Sequence, residues 1–586
     1  MCVNSVCKWL VLIGLFAYSG VSFQAIAQNI PPIQFPDPVT PTPLQPQTPQ
    51  TPLLPPDELL QISPSAPISP EQNPGTGTIT VENFDFVGNT EAIFSVERLR
   101  QEIQEFTNTP ITFAQLLQAA SKITALYIKE GYVTSGAYIP EQTLTSGVVK
   151  IQIVEGSLQE IRIAKQPTSS RRLQDSYVRK RLNLATAKPL NVRRLQEALQ
   201  LLQLDPLIKR VSAELSAGTT PGTNLLTVKI EEADSFSTRI ITDNSRNPSV
   251  GSFRRGLEIE EANLTELGDN LNIVYDNTDG SNAIDASYTI PINPRNGTIS
   301  FSYSNTQSNI IEPPFNDLDI KSNSRNYEIT LRQPLVRNAN QKFFQELAIG
   351  LTLSRRESNS SVSGVDFPIF LGADSRGNTR ISALRFFQEW TKSSAQQVLF
   401  ARSQFSLGVG AFDATINDKP PDSRFFTWRG QLFWLRLLDS QTSNQRVAPK
   451  LLLRSDVQLA SRALVPFEQF TLGGIFSVRG YRQDVLFSDN GVFVSADLQL
   501  PIYSTDNGQN VLQLIPFVDI GTTWNSSGRN APDPNTLASI GLGLQWQMGE
   551  RFKARIDYGI PLVNIESRER TWQEKGLYFS LQYTPF

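Results

Sequence analysis

Two short stretches carry the residue types from which a buried ion pair is built. Ser477-Val478-Arg479-Gly480-Tyr481-Arg482 sets a guanidinium beside a glycine, in a long segment between two amphipathic strands. Phe517-Val518-Asp519-Ile520-Gly521 sets a lone acid among apolar neighbours in a strand. A guanidinium is a planar fork of donors that a carboxylate accepts in bidentate fashion. At an effective dielectric of about 20 such a pair gains ~4 kcal/mol before desolvation, so its use is positional more than stabilising. By default, an Arg in a loop and an Asp in a strand are unrelated solvated residues, and the surrounding chain has to decide between these readings.

Other chemistry is sparse. The 586 residues include no His, which removes the commonest general base, a His-containing triad and the usual zinc ligand sets. The 53 basic and 56 acidic residues nearly cancel, so net charge makes no case for nucleic acid as a partner. Cys2 and Cys7, the only cysteines, lie in an N-terminal targeting pattern: Lys8, an apolar run over 9–17, then Ala25-Ile26-Ala27 as a small-residue cleavage site. This reads as a secretory signal peptide over 1–27, leaving a mature chain without thiols. A lipoprotein reading through Cys7 fails, because the apolar run follows that cysteine. No later apolar stretch approaches the ~20 residues of a transmembrane helix. No P-loop is present, and isolated Ser and Asp residues form no nucleophile–base pattern, so an enzyme is not expected.

The elements that must position the Arg and the Asp fall into three regions. Residues 28–76 form a linker, dense in Pro, Gln and Thr, which reads as an extended spacer. Its one interruption, 57–62, has room for one or two helical turns. Residues 77–156 and 157–233 then repeat one order: strand, helix, helix, strand, strand. In the first module a strand at 79–86 is followed by a turn at Gly88-Asn89. A clear helix has Phe113, Leu116, Leu117, Ala120, Ile123 and Tyr127 on one face, with a Thr112/Gln115 capping box, and Gly131 ends it. Strands at 132–139 and 148–154 complete that module. The second has strands at 158–163, 208–215 and 224–230 and helices at 173–181 and 192–202. Small sheets of this kind have edges that accept an extended peptide as an added strand.

From 234 to 586 period-two alternation takes over, in segments near the ~9–11 residues of a membrane-crossing strand. Tyr327, Ile329 and Leu331 alternate with Glu328, Thr330 and Arg332; Val492, Val494 and Ala496 alternate with Phe493, Ser495 and Asp497. About sixteen such strands are expected, an even number, enough to close a barrel around an aqueous channel. On the strand holding Asp519, the apolar set Leu514, Pro516, Val518 and Ile520 faces outward. Phe517, Asp519 and Gly521 therefore face the lumen.

These features resemble a known family. Phe84, Phe86, Gly88, Asn89, Gly131, Tyr132, Pro140, Gln142, Gly147 and Val154-Glu155-Gly156 resemble a POTRA domain. Leu204-Asp205-Pro206-Leu207-Ile208, Gly218 and Pro221-Gly222-Thr223-Asn224 resemble a second. The chain end, 575–586 with terminal Phe586, resembles the targeting strand of outer-membrane barrels; the Asn244 region, Gly256 and 263–269 resemble the start of a two-partner secretion barrel. Val478-Arg479-Gly480-Tyr481 resembles the signature of the sixth extracellular loop in that superfamily, and Phe517, Asp519 and Gly521 its companion strand motif. The resemblance implies a bacterial outer-membrane β-barrel preceded by two periplasmic POTRA domains. It implies Arg479 paired with Asp519, Gly480 allowing a tight backbone and Tyr481 packed beside it, with no cofactor. It also implies export of an unfolded partner exoprotein caught on POTRA edge strands, contact with outer-membrane lipid, and handling by the barrel assembly machinery through the last strand. An outer-membrane insertase of the same superfamily and a passive porin are the alternatives.

Overall fold

The computed structural model describes residues 54–63, 77–88, 93–143, 147–164, 172–439, 446–505, 508–526, 529–565 and 570–586. The expected leader, most of the proline-rich linker and Asn89 lie outside these residues.

In the first module, Val148–Val154 is the central strand between Asn83–Val87, parallel to it, and Gly136–Tyr138, antiparallel. Helix Phe113–Lys129 covers this sheet. Thr112 N–H donates to Gln115 Oε1 at 2.8 Å and Gln115 N–H to Thr112 Oγ1 at 3.3 Å, which satisfies two donors that a helix start leaves orphaned. Leu116, Ile123 and Tyr127 pack on Val149, Ile151 and Ile153. Two expected strands are shorter than their alternation suggests. The first divides at Val81, whose side chain is buried, and Thr78–Thr80 pairs with Pro110–Thr112 instead. The strand expected from 132 begins at Gly136, because Ser135 N–H donates to Tyr132 O (2.9 Å) and closes a turn after the helix.

The second module repeats the order with helices Asp175–Leu182 and Val192–Gln203. Its sheet runs Leu60–Ile62, Ile208–Ala217, Thr223–Glu232, Ser157–Ala164. The first of these strands corrects the spacer reading of 57–62: only Pro56–Leu59 is helical, and Leu60–Ile62 joins the sheet parallel to Ile208–Ala217. A proline-flanked helix of one turn is too short to be stable alone, whereas a sheet edge offers unpaired backbone groups. Leu59 and Leu60 enter the module's core.

Sixteen antiparallel strands close the barrel, with Phe236–Asp243 first and Leu577–Tyr583 last. The seam between them is only four residue pairs long, and the Asn244 side chain extends it. Its Nδ2 donates to Leu577 O (2.9 Å), and Phe579 N–H donates to its Oδ1 (2.8 Å). Ile329, Leu331, Val518, Ile520, Ile556 and Tyr558 are exposed on the outer face, while Ser495, Asp497, Asp519 and Asp557 are buried on the inner. This inversion of the soluble pattern suits lipid outside and a polar lumen inside. Among the described residues no helix is long and apolar enough to cross a membrane.

Candidate functional site

Residues 461–489 connect the eleventh strand, Lys450–Ala460, to the twelfth, Asn490–Ser504. This is the sixth connection on the face of the barrel away from the two modules. Instead of projecting outward, it folds into the lumen. Phe470–Leu472 and Leu486–Ser488 pair as a short hairpin stem. Phe470, Leu472, Val478, Tyr481 and Leu486 form an apolar cluster with Phe493 and Leu537 of the wall.

At the tip, the Arg479 side chain is 1% exposed. Nε donates to Asp519 Oδ2 at 2.7 Å and Nη2 to Oδ1 at 2.8 Å, the bidentate arrangement, while the Arg479 backbone N–H reaches the same Oδ2 at 3.1 Å. Asp519 lies on the thirteenth strand, Asn510–Trp524. Two further carboxylates converge that the sequence reading did not single out. Asp497 of the twelfth strand accepts from Nη2 at 2.6 Å, and Asp557 of the fifteenth, Phe552–Pro561, lies 3.5 Å from Nη1. The guanidinium carbon also sits 3.4 Å from the Phe517 ring centroid, so an aromatic face covers the cation.

The wall balances this charge. Arg555 donates to both Asp557 oxygens at 2.7 Å and to Asp497 at 3.3 Å. Arg454 donates to Ser495 Oγ at 3.1 Å, and that oxygen also accepts from Arg479 Nη2 at 3.4 Å. Three guanidiniums thus share one polar patch with three carboxylates, the condition under which buried charge is tolerated.

The glycines set the approach distance. Gly480 has φ +95°, and a Cβ there would lie 3.2 Å from the Gly559 carbonyl; a Cβ on Gly559 would lie 2.5 Å from Gly480 N. Backbone therefore meets backbone, which no side chain would permit. Gly521 makes room for a side chain of the stem: a Cβ would lie 2.8 Å from both Leu472 methyls. Tyr481 does more than pack. Its hydroxyl lies 2.9 Å from the carbonyls of Ala538 and Val563 and accepts from Val563 N–H at 3.1 Å. From the last strand, Tyr578 accepts from Gly480 N–H at 3.0 Å and donates to Tyr481 O.

Two other anchors hold the loop. On the limb leading down to the tip, Glu468 accepts from Arg385 Nη2 (2.7 Å) and Nη1 (3.0 Å) on the eighth strand, Asn378–Ser393. Arg356 of the seventh strand, Phe344–Val362, lies 3.4 Å from Glu468 and donates to Phe467 O at 2.9 Å. Here the loop brings the acid and the wall the bases, the reverse of the tip. Beyond the tip, Arg482 forks onto Glu312 (3.0 and 2.9 Å) and reaches Glu574 at 3.3 Å, both in neighbouring connections. Inward placement on an alternating strand was a usable signal for Asp497 and Asp557. The same signal was available for Arg385, between the outward Leu384 and Phe386, and for Arg356, out of phase with the outward Leu351 and Leu353, whereas nothing local marks Glu468.

Residues 222–546 match the family described as haemolysin secretion/activation protein ShlB/FhaC/HecB, and residues 79–156 match the ShlB-type POTRA domain. The outer membrane transporter CdiB of Dickeya dadantii is 24% identical over 440 residues, covering 73% of this chain and 72% of its own length. The heme/hemopexin transporter protein HuxB of Haemophilus influenzae is 22% identical over 493 residues, covering 80% and 81%. The solved structure of CdiB from Escherichia coli aligns over 88% of this chain and 93% of its own, with 20% identity and a TM-score of 0.63, a shared fold. The chain therefore belongs to the haemolysin secretion/activation family, and is an outer-membrane transporter of the two-partner secretion type with its POTRA modules in the periplasm.

Proposed function

We propose that the chain carries one secreted exoprotein, unfolded, from its POTRA modules through the barrel lumen, and that Arg479 with Asp519 holds the inserted loop in its transport-competent position. The observation that carries this reading is the loop itself, folded into the lumen with its tip bound bidentately to the wall. The modules act as receptor through sheet edges, to which an extended cargo segment adds as a strand. The barrel acts as conduit. No nucleotide is consumed; folding of the cargo outside prevents its return and supplies direction. The chain's role is transport, not catalysis. The outer wall of the barrel meets outer-membrane lipid, and the last strand, Leu577–Tyr583, is the segment the barrel assembly machinery recognises.

An insertase would need an opened seam. The bonds of Asn244 across it, and those of Gln573 Nε2 to Arg246 O (2.8 Å) and Asn244 O, favour passage through the lumen. A passive porin has no use for two modules with receptive edges.

The test is export of a co-expressed exoprotein from cells carrying the wild-type chain or Arg479→Ala. The variant should insert as a folded barrel and secrete nothing. Normal secretion by that variant would refute the assigned role of the pair.

A further inference from the structure

Part of the edge at which the second module would receive a strand is occupied by the chain itself. Leu60–Ile62 lies parallel to Ile208–Ala217 in the register Leu60↔Ala213, Gln61↔Glu214, Ile62↔Leu215. Ser63 continues it, its N–H donating to Leu215 O and its Oγ to Glu214 Oε1, both at 3.0 Å. Behind the strand, Leu54 N–H donates to Gln203 Oε1 at 3.3 Å. Only Leu59 and Leu60 are buried, while Gln61 and Ile62 face outward.

Three features separate this contact from a permanent part of the sheet. The receiving strand has ten residues and the added one three, so most of that edge has no strand partner among the described residues. Prolines at 55, 56 and 64 flank the segment, and proline cannot donate to a ladder, so the added strand is short by composition. The contact reads backbone and one apolar pair, the level of selectivity that suits a receptor for unfolded polypeptide.

We propose that the Ile208–Ala217 edge is the docking edge for an extended, proline-free cargo segment, and that residues 59–62 are a tethered stand-in which cargo displaces. The proposal rests on the transport reading above. A tethered strand competes at an effective concentration of about millimolar, which excludes weak, casual binders. A cargo strand pairing along more of the edge gains ladder hydrogen bonds that the stand-in cannot make, and exchange follows.

The probe is a fluorescent peptide of residues 54–63. It is titrated onto the intact chain and onto a full-length variant with 54–63 replaced by Gly and Ser. The replaced variant should bind at least tenfold more tightly than the intact chain, and a peptide carrying Leu60→Asp at least tenfold more weakly. Equal binding to both chains, or none to a folded replaced variant, would overturn the proposal. A second variant, Gln61→Cys with Glu214→Cys, joins two exposed register partners in a chain otherwise holding only Cys2 and Cys7, and keeps the core intact. Its oxidised form should bind the peptide at least tenfold more weakly than its reduced form and slow export, with reductant restoring both. Export at the reduced rate while oxidised would also refute displacement. Peptide binding is read without export, so a failure of the transport reading shows separately, as no secretion by the unlocked wild-type chain.

Discussion

Replacing Arg479 with Ala removes the guanidinium that is hydrogen-bonded to Asp519, while Asp497 and Asp557 keep Arg555. The patch passes from three cations and three anions to an excess of one buried negative charge. Leaving one partner of a buried ion pair uncompensated costs about 3–5 kcal/mol. In the docked loop this cost falls on the docking equilibrium, because Asp519 is rehydrated when the tip leaves. At 1.36 kcal/mol per factor of ten, the population of released loop should rise at least ~10²-fold. Val478, adjacent and fully buried, reports that population: as Val478→Cys it reacts with a membrane-impermeant maleimide only from the released state. Its labelling rate should rise ~10²-fold in the Arg479→Ala background, with the barrel still folded by its heat-dependent mobility in detergent gels. Asp519→Asn should do less, about tenfold, because Arg479 keeps Asp497 at 2.6 Å and the excess charge is a shared cation. A labelling rate within threefold of wild type for Arg479→Ala, or a larger effect for Asp519→Asn, would refute this charge accounting.

Glu468→Gln should strip Arg385 and Arg356 of their carboxylate, cost about 3 kcal/mol of loop docking, and appear as more frequent large-conductance openings in planar bilayers. Gly559→Val changes no charge but puts a Cβ 2.5 Å from Gly480 N; it should match Arg479→Ala in labelling at Val478→Cys. Asn244→Ala removes two hydrogen bonds across the seam, worth ~1–3 kcal/mol together, and should lower the temperature at which the folded barrel band converts to the unfolded one.

Architecture was legible in the sequence because its signals are periodic. Alternation separates two sets on the strand of Asp519, and which of them meets lipid followed from the export signal, the number of strands and the chain end, which point to a barrel. The capping box at Thr112 was equally readable, being local. Element ends were less so: the division at Val81 depends on a core that forms only when Pro110–Thr112 arrives from elsewhere. Leu60–Ile62 was misread for the same reason, because its conformation is dictated by an edge about 150 residues away, and local propensity carries no trace of it. At the site, the pair Arg479 and Asp519 came from a motif resemblance, and the structure brings them within hydrogen-bond distance. The surplus carboxylates had a readable address but no sequence signal that joined them to Arg479.

Of the loop's charge anchors, two sit on well-separated parts of the wall, the seventh and eighth strands for Glu468 and the twelfth, thirteenth and fifteenth for Arg479. Their polarity is opposite, so the loop takes one acid and one base from the wall together, while Arg482 leaves Glu312 and Glu574 in the other connections. Other charges of the inner face are paired in the same way: Arg332 bridges Glu346 and Glu389, Arg402 joins Glu389, and Arg429 pairs with Asp456. Paired charges hold water without offering an apolar surface or a large field of one sign. An unfolded chain moving past these pairs meets no large field of one sign that would hold it by its charge. The ion pairs that fix the resting loop therefore also suit the wall to conduction once the loop has moved, and this favours transport over storage of a bound ligand as the use of the lumen.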